Sequence, residues 1–174
     1  HGTTFKLKIP LTLAIVPALV VQSGGEIFAI PQKNLVELVM LEDEQLEEIE
    51  KIHNQEFYRL RGELIPIFRL NDSLKIKNGS NQDSILNIIV LKAEGAQYGL
   101  IVDEVLDTQE IVVKPLARKL KSSNVYAGAT IMGDGRVSLI LDALGFYNMV
   151  DQGSGKEVKN ETHEISDTDF VHRA

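Results

Sequence analysis

The stretch that decides the fold reads YGLIVDEVL, residues 98–106. It follows a turn at Glu94-Gly95 and runs from β-branched and aliphatic residues into the acidic pair Asp103-Glu104. A short apolar run entered from a glycine turn is typical of a buried strand after a tight hairpin. Its opening order of aromatic, tiny and aliphatic residues suits a strand whose middle is crossed closely by another backbone.

The same pattern begins 70 positions earlier (95 − 25), in GEIFAIP at residues 25–31. The aligned pairs are Gly25 with Gly95, Phe28 with Tyr98, Ala29 with Gly99 and Ile30 with Leu100. A second shared pattern, GELIPIF at 62–68, matches GRVSLIL at 135–141 with an offset of 73 (135 − 62). An internal repeat of this kind predicts a fold built from two similar units.

The composition narrows the possible classes of function. The 174 residues fit one ordinary domain or two small ones, and 44% hydrophobic content with 25% charged residues indicates a soluble, folded protein. A net charge of −7 argues against a nucleic-acid binder, because phosphate contact needs a clustered basic face. The absence of cysteine excludes disulfides and cysteine-based metal sites. The apolar stretch from Ile9 to Val21 is too short for a membrane span and predicts a core strand.

Short apolar segments separated by Gly and Asn turns predict a chain made mostly of strands. The predicted strands are 2–10, 19–22, 27–31, 35–41, 57–60, 64–70, 85–91, 98–102, 111–113, 126–132 and 136–141, with helical turns at 71–74, 116–120 and 142–147. Asp43–Ile52 favours a short helical or irregular turn followed by an edge strand over Glu48–Ile52. Many short strands in two repeats favour two small β-barrels over one large sandwich.

The sequence predicts no catalytic, cofactor or metal site. It contains neither a phosphate-cradling loop nor a hydrolase or zinc-protease motif, and its four histidines lie at termini or turns. Asp103, Glu104 and Asp107 could form a cation site or an acid and base pair. Because neighbouring strand residues point to opposite faces, a solvated strand end is the favoured interpretation. Arg61, at a hairpin tip, is interpreted either as a partner contact or as a solvent-exposed side chain.

Several blocks of the sequence resemble a known family. Residues 2–15 closely resemble the last strand of the ATP-binding domain of chemotaxis histidine kinases of the CheA type, with the hinge that follows. From Ala18 to about Met149 the chain resembles the regulatory domain that comes next in those kinases, a relative of the coupling protein CheW. The matching blocks are FAIP at 28–31 with VE at 36–37, LRGELIP at 60–66, GLIVD at 99–103 and ATIMGDGRV at 129–137.

The resemblance implies an all-β fold of two tandem five-stranded SH3-like barrels with short helical turns. The expected organisation is a kinase-domain strand with its hinge at 1–15, a CheW-like regulatory domain at 16–150 and a disordered tail at 151–174. The barrels are expected at about 18–76 and 84–148, and whether they exchange strands is left open.

The resemblance also implies a docking function. In the family this domain binds CheW barrel to barrel and joins the kinase to the cytoplasmic tips of chemoreceptors. The turn formed by Arg61, Gly62, Glu63 and Leu64 matches a hairpin that contacts CheW. The fragment itself is expected neither to bind ATP nor to transfer phosphate. It is expected in the cytoplasm, at receptor arrays that it reaches through its partners, without nucleic acid or membrane insertion, and its parent kinase is expected to be a homodimer through a separate domain.

Two alternatives remain at this point. A stand-alone CheW-type coupling adaptor would share most of the resemblance, although residues 2–15 argue against it. A small β-barrel hydrolase, or a metal-dependent carboxylate enzyme using Asp103 and Asp107, is the third interpretation.

Overall fold

The computed structural model describes residues 2–6, 14–77, 85–116 and 124–164, with side chains up to residue 153. The strands are β1 (Ile15–Ser23), β2 (Glu26–Pro31), β3 (Leu35–Glu42), β4 (Ile49–Ile52), β5 (Gln55–Leu60), β6 (Glu63–Arg69), β7 (Ile85–Ala93), β8 (Ala96–Val102), β9 (Glu104–Val112), β10 (Tyr126–Ile131) and β11 (Val137–Leu141). The helices are α1 (Leu70–Ser73) and α2 (Ala143–Glu164), with 3-10 helices at Gln32–Asn34 and Asp43–Glu48.

The strands form two sheets. The first sheet has five strands in the order β10-β11-β2-β1-β9, and the second has six in the order β3-β7-β8-β6-β5-β4. The edges of the first sheet meet where Lys114 and Ala129 exchange backbone hydrogen bonds of 2.8 and 3.0 Å. The predicted fold class, all-β with two SH3-like units, is confirmed. The sixth strand of the second sheet is the short β4, which follows the 3-10 helix as the sequence favoured.

The two halves of the chain exchange strands. β1 and β2 pair with each other but also with β9 and β11, whereas β7 and β8 pair with β3 and β6. Neither sheet is therefore a contiguous segment, and 18–76 and 84–148 do not correspond to the two sheets. The exchange arises because each central hairpin is followed by a crossing to the other sheet. The chain crosses once through Gln32–Asn34 and once at the single residue Asp103.

The internal repeat is visible in the register of the strands. Ile67 lies opposite Gly99 in the parallel pair β6–β8, and Ile140 lies opposite Ala29 in the parallel pair β11–β2. A Cβ added at Gly99 would lie 2.6 Å from Cγ2 of Ile67 and 2.8 Å from Cγ2 of Ile88. The strand is thus closely approached at its glycine, as predicted. The prediction was wrong about what approaches it, because the neighbours are two isoleucine side chains and not a backbone.

The largest core cluster joins the two sheets and is organised around Tyr98. The ring of Tyr98 contacts Phe68, Phe146 and Tyr147, at centroid distances of 6.2, 6.0 and 5.4 Å. Its hydroxyl donates a 2.8 Å hydrogen bond to the carbonyl of Ala143. The other fully buried members of this cluster include Val21, Ile30, Leu70, Ile89, Leu91 and Leu100. A second cluster, with Leu41, Ile65, Ile67, Ile88 and Val90, fills the interior of the second sheet.

Helix α2 begins within the helical turn predicted at 142–147. Asp142 accepts a 2.7 Å hydrogen bond from the backbone N–H of Gly145 through Oδ1, which satisfies one of the free donors of the first turn. The backbone is helical as far as Glu164, whereas the sequence predicted a disordered tail from Asp151. Once a packed first turn exists, each further residue adds one backbone hydrogen bond to the helix. The prediction considered only the polar composition of the tail and not this extension. Residues 165–174 lie outside the described residues.

Two further predictions fall at the margins of the described chain. Residues 2–6 form no strand, and Phe5 is 88% exposed. A half-buried strand needs a neighbour to pair with, and no described strand pairs with this segment. The remainder of that predicted strand, residues 7–10, and most of the predicted helix at 116–120 lie outside the described residues. Among the described helices, none combines the length and the apolar character that crossing a membrane requires.

Candidate functional site

The turn between β5 and β6 presents the residues that the sequence singled out. Arg61 and Gly62 connect the strands with φ angles of 50° and 92°. Two consecutive positive φ angles define a type I′ turn, whose twist matches that of the flanking strands. The strands are paired up to the turn, with Leu60 opposite Glu63 and Arg59 opposite Leu64. The hairpin therefore holds all four predicted site residues in a fixed register.

Leu64 points away from the core. It is 38% exposed, whereas the next residue, Ile65, is 4% exposed and belongs to the core of the second sheet. The alternation follows from the period of two along a strand. Glu63 is exposed, and the side chain of Arg61 is 80% exposed. The tip of the hairpin thus offers one apolar and two charged side chains that the core does not use.

Arg61 is held by a residue to which the sequence assigned no role at this site. Its Nη2 donates to Oε2 of Glu37 on β3 at 2.7 Å, and the Glu37 side chain is only 24% exposed. The other oxygen of Glu37, Oε1, is buried and has no hydrogen-bond partner in the described part of the chain. The signal was present in the sequence, because Glu37 is in phase with the inward-facing Val39 and Leu41.

A second ion pair lies beside Leu64. Arg59, its cross-strand neighbour, bonds Oε1 of Glu50 on β4 through Nε at 3.0 Å and Nη2 at 2.6 Å. Both side chains are about half exposed, at 50% and 41%. An exposed apolar residue with charged groups around it has the layout of a protein–protein contact, in which a polar rim surrounds an apolar centre.

The electrostatics of the inner face of this sheet keep its tyrosine neutral. Burial raises the pKa of Tyr58 above its ordinary value, and the nearby carboxylates of Glu48 and Glu37 raise this pKa further. Negative charge near a phenol opposes its ionisation. Tyr58 is therefore a packed core residue of the second sheet, as its 8% exposure also indicates.

The three carboxylates that suggested a cation or acid–base site do not converge. Asp103 accepts from the backbone N–H of Gly24 at 2.6 Å and from Nδ2 of Asn71 at 2.9 Å. Asp107 accepts from the N–H of Thr108 at 2.7 Å, and Glu104 is exposed. Within the described residues no three His, Asp or Glu side chains are grouped as metal ligands.

Asp103 instead links the two sheets. It sits at the crossing from β8 to β9 and ties the β1–β2 turn to α1. The network continues from Asn71, whose Oδ1 accepts a 2.8 Å hydrogen bond from the buried Ser23 hydroxyl. The sequence located this carboxylate but not its partners, because these come from segments 79 and 32 residues away.

Comparisons with known proteins agree with this architecture. A family model described as a CheW-like domain matches residues 17–150. The chemotaxis protein CheA of Borreliella burgdorferi is 36% identical over 150 residues, which are 85% of this chain and 17% of that protein. The sensor histidine kinase CheAY of Helicobacter pylori is 36% identical over 148 residues, 85% of this chain and 18% of that protein. The chain spans less than a fifth of the length of these relatives.

A solved structure supports the fold independently. The scaffolding protein TtCheW from Thermoanaerobacter tengcongensis superposes with a TM-score of 0.59 at 22% identity, covering 76% of this chain and 92% of that one. The family match begins at residue 17, so the interpretation of residues 1–15 as a strand of an ATP-binding domain stays a prediction. The chain belongs to the family of CheW-like domains, and it matches the regulatory region of CheA chemotaxis kinases.

Proposed function

We propose that this chain is the docking and regulatory domain of a chemotaxis sensor kinase, and that it binds a CheW-type coupling protein through the β5–β6 hairpin. Through that protein it joins the kinase to the cytoplasmic tips of chemoreceptors and so controls kinase activity. It acts in the cytoplasm, at receptor arrays that it reaches through its partners. The domain contributes binding, and the catalysis belongs to other parts of the parent kinase.

The observation that carries this proposal is Leu64, an apolar side chain 38% exposed on a hairpin whose register is fixed, in a chain of the CheW-like family. Burying a fully exposed leucine side chain contributes about 1.5–3 kcal/mol, so covering the exposed 38% of Leu64 contributes about 1 kcal/mol or less. A two-residue turn between paired strands is already ordered, so docking through it costs little conformational entropy. Arg61 adds a charge that can bond a partner carboxylate or carbonyl.

The sequence comparison favours a regulatory domain of a kinase over the stand-alone adaptor. The relatives named above are CheA and CheAY proteins at 36% identity, whereas the CheW structure is 22% identical and supports the fold alone.

The test is a calorimetric titration of the purified cognate coupling protein into wild type and variants. Leu64→Asp should weaken the affinity, that is, raise the dissociation constant, at least about thirtyfold, because it buries an unpaired carboxylate in the contact. Arg61→Glu should weaken it by a similar factor, since arginine at the centre of an interface is often worth about 2 kcal/mol.

A matched control is available in the β7–β8 turn. Glu94 and Gly95 have φ angles of 47° and 91°, nearly those of Arg61 and Gly62. Glu94→Lys therefore reverses a charge in the same kind of turn and should leave the affinity within about twofold, because exposed rim charges contribute little. Wild-type affinity for both Leu64→Asp and Arg61→Glu, in folded protein, would place the docking surface elsewhere.

A further inference from the structure

Strand β3 presents a stripe of apolar side chains to solvent. Val36, Leu38 and Met40 are 42%, 49% and 60% exposed. They alternate along the strand and therefore lie on one face. On the neighbouring strand β7, Leu38 lies opposite Ile89, which is fully buried in the core between the sheets. The stripe is thus the uncovered continuation of a face that is elsewhere packed.

The stripe is not required by the fold. The repeat offset of 70 places Leu106, Thr108 and Glu110 of β9 at the positions of Val36, Leu38 and Met40 (106 − 36). β9 is the edge strand of the first sheet, as β3 is of the second. Polar side chains, Thr108 and Glu110, therefore fit the same structural positions as Leu38 and Met40. Two large apolar side chains exposed at these positions of β3 indicate a surface that a partner covers.

The charges at the two ends of the stripe are opposite. Lys33 lies exposed before β3, in the first 3-10 helix. Asp43 and Glu44 lie exposed after it, at the start of the second 3-10 helix. Glu42 is engaged in capping that helix through its side chain. The stripe thus runs from a positive end to a negative end.

We propose that this face of β3 binds the same face of a second copy of the chain, with the two strands antiparallel about a two-fold axis at Leu38. In that arrangement Val36 of one copy meets Met40 of the other, and Leu38 meets its own counterpart. Lys33 of each copy then lies beside Asp43 and Glu44 of the other. A parallel arrangement would instead oppose like charges at both ends. Contacts of this self-complementary kind are the common type in two-fold dimers.

The dimer is expected to be weak. Stable interfaces bury about 800 Å² on each partner, and three side chains with their flanking charges supply less than that. The net charge of −7 on each copy also opposes association. Self-association should therefore depend on concentration, and it becomes relevant where many copies are held together.

This surface is separate from the docking hairpin of the proposed function. Glu37, which pairs with Arg61, points to the opposite side of β3 from Leu38. Leu64→Asp should consequently leave self-association unchanged, and Leu38→Asp should leave docking to the coupling protein unchanged. The two hypotheses can fail independently.

The test is sedimentation velocity on the isolated chain from about 10 µM to 1 mM, the range of weak association. The weight-average sedimentation coefficient of wild type should rise with concentration. Leu38→Asp places two carboxylates on the axis and should weaken the dimer at least about tenfold. Thr108→Asp, at the equivalent position of β9, is the matched control and should not change the dimer.

The charge pattern is tested by reversal. Lys33→Glu should weaken association about threefold or more, since it opposes Asp43 and Glu44 of the other copy. Combining it with Asp43→Lys and Glu44→Lys restores opposite charges and should return the affinity to within about threefold of wild type. These exposed positions lie outside the core, and circular dichroism verifies that each variant is folded.

Three results would overturn the proposal. One is a wild-type sedimentation coefficient that stays constant up to about 1 mM. Another is a triple charge variant that associates no better than Lys33→Glu alone. The third is a monomer that binds the cognate coupling protein through Leu38, which would assign the stripe to that partner.

Discussion

Arg61 and Glu37 form a 2.7 Å ion pair that ties the tip of the β5–β6 hairpin to β3 across 24 residues of sequence. The arginine side chain is 80% exposed and the glutamate side chain 24%. The ion pair therefore matters more for the partly buried carboxylate, which has little access to water, than for the guanidinium. An exposed ion pair is worth about 0.2–1 kcal/mol. Losing the pair should cost more than this at Glu37, because its Oε1 already lacks a hydrogen-bond partner among the described residues.

The first prediction is that charge reversal at Arg61 affects stability as well as docking. Arg61→Glu should lower the free energy of unfolding by about 1–3 kcal/mol, because Glu37 loses its only described partner and faces a like charge. The double variant Arg61→Glu with Glu37→Arg should recover most of that loss. Urea unfolding measures this, and calorimetric titration on the double variant then isolates the docking role of Arg61. A single variant as stable as wild type would show that the ion pair is dispensable.

The second prediction concerns the glycine of β8. A Cβ at Gly99 would lie within 3 Å of two isoleucine methyl groups, on Ile67 and Ile88, which are 2% and 0% exposed. Gly99→Val should therefore destabilise the protein by about 1–3 kcal/mol through overpacking. Gly133→Ala is the matched control, because nothing lies within 4 Å of its Cβ and its φ is not in the left-handed region. Equal urea midpoints for Gly99→Val and wild type would contradict this account of the site.

The sequence predicted the equivalence of β8 with β2 and of β6 with β11, because the internal repeat can be seen directly in short stretches of residues. The alignment of Gly99 with Ala29, and of Ile67 with Ile140, follows from two offsets, and the structure places both pairs in the same register. The exchange of strands between the halves could not be read in the same way. β3 can pair with the hairpin of either half, since both hairpins carry similar apolar patterns, and only tertiary packing decides between them.

The candidate site was predictable to a similar extent. The resemblance implied that Leu64 belongs to a contact hairpin, and Leu64 is 38% exposed in the structure, although its role in docking stays a prediction. The alternation along β3 marked Glu37 as an inward-facing residue, but its pairing with Arg61 was not predictable, because β7 and β8 separate β3 from the β5–β6 hairpin in the second sheet. Asp103 shows the same limit, since its hydrogen-bond donors come from a turn and a helix far along the chain.

The third prediction concerns alkaline pH. Burial raises the pKa of Tyr98 well above its ordinary value, and the charge of Asp142 raises this pKa further. The unfolded chain loses the phenolic proton from about pH 10, whereas the folded chain keeps it. The contribution of Tyr98 to stability is therefore complete below about pH 10 and is lost as the pH rises from there towards the folded-state pKa.

Tyr98→Phe isolates that contribution. At neutral pH it should cost about 1–2 kcal/mol, because the carbonyl of Ala143 loses its 2.8 Å hydrogen bond. Phe28 occupies the equivalent position in β2, so a ring without the hydroxyl suits this type of strand. Urea unfolding between pH 7 and about 11 should show the two proteins converging above about pH 10. A constant difference in the free energy of unfolding would contradict the pKa argument.

The fourth prediction separates Asp103 from its acidic neighbours. Asp103→Ala removes the acceptor for the Gly24 N–H and for Asn71 Nδ2, and should cost about 1–3 kcal/mol of stability. Asp107→Ala is the control, because Asp107 is exposed and bonds only the adjacent Thr108 N–H in the described structure. It should change stability by less than about 0.5 kcal/mol. Equal effects of the two substitutions would mean that the link between the sheets contributes nothing measurable.

The last prediction concerns helix α2, whose first and second halves should differ in hydrogen exchange. Phe146 is 1% exposed in the core, whereas residues 151–153 are exposed and include Gly153, which costs a helix about 1 kcal/mol relative to alanine. A segment held by its own hydrogen bonds alone is marginal at this length. Amides of 143–150 should therefore exchange slowly and those of 154–164 rapidly, with β7, paired on both sides, slowest of all. Slow exchange through Glu164 would mean that the second half of the helix packs against a surface of its own.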